Sequence, residues 1–127
     1  MDWTWQGTAL AGRPGHWDAR GTRVATVLLT DDGPVALYDG RATAEENWEE
    51  RTGVAVATGE PGVLRAVGDE PVASSPHGLG GLRYVSVVPL PDGASRVYFE
   101  VTRADGAHEL RTSYAPAGTP RASTRLV

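Results

Sequence analysis

The chain repeats itself. Gly21–Gly33 lies over Gly81–Gly93 at an offset of 60 residues, and Gly21/Gly81, Arg23/Arg83, Val27/Val87, Asp32/Asp92 and Gly33/Gly93 coincide. After one inserted residue, Leu37-Tyr38-Asp39 falls over Tyr98-Phe99-Glu100. Each copy is an apolar run, an Asp-Gly pair, and a second run ending in an aromatic and an acid. Asp-Gly alone is the commonest short hairpin signal. The Gly-x-Arg ahead of it and the aromatic behind it mark two copies of one unit. Self-similarity at a fixed period points to a repetitive architecture.

The unit is made of strands. Among 127 residues there are 16 glycines and 9 prolines, a density of breakers that rules out a helical bundle and leaves short strands joined by turns. Alternation places strands over 23–30, 34–38, 53–58 and 63–67 in copy one, and over 83–90, 96–102 and 107–112 in copy two. Four antiparallel strands per repeat is the pattern of a propeller blade. The expected fold is therefore all-β, with four-stranded antiparallel propeller-type blades, about two in number. Residues 3–10 read as the outermost strand of a preceding blade. The division is 1–14 as that outer strand or a linker, 15–70 as blade one, 71–115 as blade two and 116–127 as a flexible tail. A β-sandwich of seven or eight strands fits the same length, and alternation does not separate the two.

Blade geometry sorts residues by rim. Asp31-Asp32-Gly33 and Asp92-Gly93 make tight turns on one rim. The opposite rim collects 15–20, 39–50, 74–83 and 103–108, with Trp17, Asp18, Arg20, Asp39, Arg41, Glu45, Glu46, Trp48, His77, Arg103 and His108. A tight rim opposed to a long polar one is how a scaffold carries function on one face.

His16-Trp17-Asp18-Ala19-Arg20 leading into a strand, then Ala36-Leu37-Tyr38-Asp39-Gly40-Arg41 and Gly53-Val54-Ala55, resembles the five-bladed propeller glycoside hydrolases. That superfamily includes arabinanases, xylosidases, invertases, levanases and mannoside phosphorylases. The likeness spans roughly residues 15–60, with an echo over 80–112. It implies a partial five-bladed propeller, and chemistry by one protonated and one ionised carboxyl around a funnel. On that resemblance Asp18, Asp39 and Glu46 are the catalytic candidates. Trp17 is the sugar-stacking platform, and Arg20, Arg41, Glu45 and His77 contact substrate. The pattern departs from the family in having two blades' worth of acids and no counterpart of the first-blade aspartate.

Each candidate also has a plainer reading. Asp18 caps a turn and pairs with Arg20, and Asp39-Gly40 is a turn signal. Thr43-Ala44-Glu45-Glu46 fits a capping box ahead of a short helix through residue 50, with Glu46 bonding back to Thr43 and Trp48 pinning that helix to the blade. Arg23 and Arg83, at one repeat position, read as scaffold ion pairs.

Other chemistries are excluded on residue type. There is no cysteine, so no disulfide, thiolate metal site or thiol nucleophile. His16, His77 and His108 lack zinc-ligand spacing, and Ser74-Ser75 lacks a nucleophile elbow. Gly78-Leu79-Gly80-Gly81 precedes a strand and not a helix, so it is no phosphate loop. No metal or other cofactor is expected. A formal charge of -4 with dispersed acids argues against nucleic acid. The longest mostly apolar run, Val24–Leu29, is far short of the ~20 residues that span a bilayer, and no leader pattern opens the chain. The expected setting is cytoplasmic, with no membrane partner.

Two blades leave flat faces uncovered. Three readings stay open: a carbohydrate-processing piece of a hydrolase-like propeller missing its N-terminal blades; a sugar-binding, lectin-like two-blade module that closes a ring as a homo-oligomer; and a lone sandwich whose repeat is incidental. The partner expected in the first two is carbohydrate.

Overall fold

A computed structural model describes residues 1–119. Seven strands form two antiparallel sheets. β1 (Gly21–Thr30), β2 (Gly33–Arg41), β3 (Arg51–Ala57) and β4 (Leu64–Val67) follow one another in a four-stranded sheet, and β5 (Leu82–Pro89), β6 (Ser95–Thr102) and β7 (His108–Ala115) do so in a three-stranded one. The fold is all-β, and no closed propeller is present among the described residues. The second sheet has three strands where the blade pattern asks for four.

The repeat is a repeat of register. In the β1–β2 hairpin Arg23 faces Asp39, Val27 faces Ala36 and Leu28 faces Val35. In the β5–β6 hairpin Arg83 faces Glu100, Val87 faces Val97 and Val88 faces Arg96. The first strands match at 60 and the second at 61, as the inserted residue requires. Both hairpins also slip by one residue at the same place, between Val24 and Thr26 and between Arg83 and Ser86. A β-bulge of this kind puts two residues opposite one and sharpens the local twist. Tyr84, in the second bulge, takes the left-handed conformation (φ 56°), which costs energy for a bulky side chain.

Alternation along β2 sends its residues to two cores. Leu37 and Val54 join Ala73, Leu82, Val85, Val97, Phe99 and Val101 between the sheets. Ala36, Tyr38, Ala55 and Ala66 turn to the other face and are covered by Trp17. Leu10 packs there too, while the Thr22 hydroxyl holds the Leu10 carbonyl at 2.7 Å and the Leu64 N–H donates to the Ala9 carbonyl at 2.8 Å. Residues 10–20 are thus a lid on the four-stranded sheet.

Three local expectations are corrected. Residues 3–10 form no strand; residues 1–8 are irregular and exposed. Residues 42–44 bend, 45–48 form a turn and 49–50 are irregular, in place of a helix. The reason is tertiary: Glu49 and Glu50 are drawn to the second sheet, and Glu46 divides its carboxylate between the Ala42 N–H and Arg51 of β3. Trp48 (φ 74°) is 60% exposed, and its ring meets the Arg83 guanidinium of β5 where a helix packed on the blade was expected. The expected tail lies, from residue 120 on, outside the described residues.

Candidate functional site

The sheet separates two of the three candidate acids. Asp18 is fully buried on the lid side. Arg13 Nε donates to both its carboxylate oxygens (3.1 and 2.9 Å), and the Tyr38 hydroxyl donates to Oδ2 at 2.7 Å. Its partner is thus Arg13, not the Arg20 of the turn reading. Burial first, and then the hydrogen bond to Asp18, push the Tyr38 hydroxyl far above its ordinary value. Trp17 is 7% exposed and stacks on Tyr38 with ring centres 5.6 Å apart. Its ring is a core element and is not offered to solvent as a platform.

Glycine makes room for these rings. A methyl on Gly53 would lie 2.6 Å from Tyr38 Cζ and 2.7 Å from Trp17 Cζ2; one on Gly40 would lie 2.7 Å from Trp17 Cζ3. Real side chains do not tolerate such approaches.

Asp39 sits on the opposite face, 1% exposed. Arg23 Nη2 donates to its Oδ2 at 2.7 Å, and the Tyr84 N–H reaches both oxygens at 3.2 Å. The second contact explains the strained Tyr84 backbone: the bulge aims its N–H across the gap between the sheets. Burial raises the Asp39 carboxyl above the ordinary range, against the pull of Arg23 and the Tyr84 N–H.

Around Asp39 the hairpin end opens into a pocket of about 180 Å³ lined by Gly21, Thr22, Arg23, Asp39, Arg41 and Glu50. It lies at the end of the β1–β2 ladder opposite the Asp32-Gly33 turn, on the rim singled out by the sequence. Arg41 donates to Glu50 Oε1 at 3.4 Å and to Asn47 Oδ1. Arg83 holds Glu50 at 2.7 Å and Glu100 at 2.6 Å. Burial opposes the Glu50 charge, yet the Arg83 hydrogen bond wins and keeps its carboxyl below the ordinary range. Two carboxylates lining one pocket are thus pushed in opposite directions.

A ladder of cations and rings runs alongside. Arg83 lies 5.3 Å from the Trp48 ring centre and 4.8 Å from that of Tyr84, and Arg23 lies 4.2 Å from Tyr84. Trp48 and Tyr84 are 60% and 44% exposed, so each presents ring surface outward.

The remaining candidates stand apart from the pocket lining. Glu46 accepts from Arg51 at 2.7 Å and from the Ala42 N–H at 2.5 Å, not from Thr43. Arg51 in turn lies 5.9 Å from the Trp17 ring centre, so Glu46 belongs to the lid side of the rim. Glu45 is exposed, and hydrogen bonds from its own backbone N–H and from Thr43 hold its carboxyl below the ordinary range. Arg20 and His77 are exposed. Of the eight sequence candidates, the pocket gathers Asp39 and Arg41. It adds Gly21, Thr22, Arg23 and Glu50. The sequence signal for Arg23 was its repeat position, read as scaffold; that for Glu50 was its place directly ahead of β3 on the chosen rim.

No protein-family model, curated protein or solved structure matches the chain. Among the described residues no three His, Asp or Glu side chains are grouped to hold a metal ion, and no helix is long and apolar enough to cross a membrane.

Proposed function

We propose that this chain handles carbohydrate, binding a neutral saccharide in the rim pocket of a pair of propeller-type blades. The observation that carries the reading is charge balance. Arg23 and Arg41 face Asp39 and Glu50 in one pocket, two cations against two anions. Such a lining gives neither an anion nor a cation a net attraction, but it offers fixed donors and acceptors to a ligand rich in hydroxyls. The outward rings of Trp48 and Tyr84 supply the apolar surface on which the C–H face of a sugar packs. The matched registers and shared bulge of the two hairpins support reading the sheets as neighbouring blades, in line with the hydrolase resemblance of residues 15–60.

The test is titration calorimetry with arabino-, xylo-, fructo- and manno-oligosaccharides. Binding of at least one series, weakened about tenfold by Arg41→Ala or Trp48→Ala with the fold unchanged, supports the reading. Absence of binding to all four overturns it.

A second reading, hydrolysis, is favoured by Asp39 and Glu50 lining one pocket, provided that Asp39 takes up a proton there while Arg83 keeps Glu50 ionised. A carboxyl raised by burial suits a general acid, and one held ionised by arginine suits the base or nucleophile. Release of nitrophenol from an aryl furanoside, abolished by Asp39→Asn and by Glu50→Gln, distinguishes catalysis from binding alone.

A further inference from the structure

The two sheets are unequal along one edge. β3 pairs on its far side with β4. β7 holds the equivalent place in the second sheet, and among the described residues no strand pairs with its far side. An open edge of eight residues is a row of unpaired N–H and C=O groups, a template for another strand. Beside that edge, Leu110 is 74% and Tyr114 49% exposed, and Tyr98 and Val88 continue the same apolar surface toward the middle of the sheet at 40% and 42%.

The chain also carries an exposed segment without regular structure that could extend beside such an edge. Trp3 and Trp5 are 87% and 82% exposed in an irregular segment. Their spacing of two puts both rings on one face of an extended strand, with Thr4 and Gln6 on the other. Ala9 and Leu10 are anchored to the four-stranded sheet, and Leu10 packs on the Tyr38 face, the one turned away from the three-stranded sheet. The segment therefore leaves from the face of the four-stranded sheet turned away from the three-stranded sheet that holds β7.

We infer that residues 3–8 of one copy add to the β7 edge of a second copy as the missing fourth strand, setting Trp3 and Trp5 against Leu110 and Tyr114. The contact is head-to-tail: one end of the chain meets a different surface on the next copy, which yields a ring if the rotation closes and a filament if it does not. The inference continues the internal β3–β4 pairing from one repeat to the other and does not rest on sugar binding.

Light scattering on the intact chain over a range of concentrations tests it. Association of two or more copies is expected, weakened about tenfold or more in the Trp3→Ala/Trp5→Ala double variant. The altered residues touch no core, so the circular dichroism spectrum is expected to stay unchanged. A synthetic peptide of residues 1–10 added to that variant should shift amide resonances of Glu109 to Tyr114, and the same peptide N-methylated at alternate backbone positions should not. A monomeric intact chain, assembly indifferent to the double substitution, or peptide shifts elsewhere each overturn the proposal. Saccharide titration of the double variant reads the pocket separately, because neither tryptophan lines it.

Discussion

Tyr38 donates its phenolic hydrogen to Asp18 across 2.7 Å of fully covered interior. The folded hydroxyl is held protonated well beyond the ordinary value of 10.0. A group whose folded pKa is raised contributes stability below its unfolded pKa and loses it as pH rises from there toward the folded value. Unfolding free energy should therefore fall above about pH 10, by up to ~1.4 kcal/mol per pH unit. Urea denaturation from pH 8 to 11 checks this. Tyr38→Phe should remove that part of the slope and cost about 1–3 kcal/mol at pH 8, because a buried acceptor loses its donor.

Glu50 runs the other way. Its folded carboxyl lies below the ordinary 4.5 despite burial, so the stability it contributes is present above that value and is lost as pH falls through the folded pKa. Glu50→Gln should destabilise the chain most at neutral pH, and the difference from the parent should shrink below pH 4.5. Asp39, raised by burial, works against the trend in the parent. The comparison is therefore made between parent and variant at each pH by chemical denaturation. A difference independent of pH would show that Arg83 does not hold Glu50 ionised.

These two acids show what a sequence can carry. The strands follow from alternation and Asp-Gly turns, and all seven lie within about three residues of their expected places. The register of the second hairpin is legible too, because a repeat transfers Arg23–Asp39 to Arg83–Glu100. Side-chain destinations are not. Thr43 and Glu46 have the spacing of a capping box, but Glu46 bonds the Ala42 N–H and Arg51 at the start of β3, and the spacing alone does not say which backbone group or cation wins it. Trp17-Asp18 and Asp39 share a rim in sequence order, yet the sheet itself stands between them. Whether a rim residue falls on one face or the other depends on which rings find space, and Gly40 and Gly53 create that space on the face of Trp17 and Tyr38.

Glycine substitutions measure that space. Gly53→Ala places a methyl against two rigid rings, neither free to swing away in a filled core. A loss of about 1–3 kcal/mol is expected from overpacking. Gly21→Ala meets no atom within 4 Å and should stay within about 0.5 kcal/mol of the parent. Thermal denaturation of the pair checks both, and equal stability of the two variants would mean that Trp17 does not lie over β3.

Glu49 ties the rim loop to the second sheet. Its carboxylate accepts from the N–H groups of Leu79 (3.1 Å) and Gly81 (2.9 Å) and from the Thr102 hydroxyl (2.9 Å), with His108 Nε2 3.4 Å away. Glu49→Ala strands these donors, at a cost of about 1–3 kcal/mol. Glu49→Gln keeps an acceptor oxygen and should recover part of it. Hydrogen exchange at Gly81 reads the local loss directly, and unchanged protection there would remove Glu49 from this role.

Fluorescence separates the four tryptophans by their surroundings. Trp3, Trp5 and Trp48 are 60% exposed or more, whereas Trp17 is sealed at 7% between the lid and Tyr38. An ionic quencher such as iodide meets the first three and is excluded from the fourth, because a charge cannot enter an apolar interior. Quenching should therefore level off with a blue-shifted fraction remaining, and Trp17→Phe should abolish that fraction while leaving the quenchable part intact. The same measurement bears on function. A saccharide that packs on Trp48 shields a quenchable ring, whereas one that stacks on Trp17 requires the lid to open and would make the protected fraction quenchable. Protection of the exposed fraction on adding sugar supports the pocket beside Arg41 and Glu50, and loss of the protected fraction would move the site to the Asp18 face.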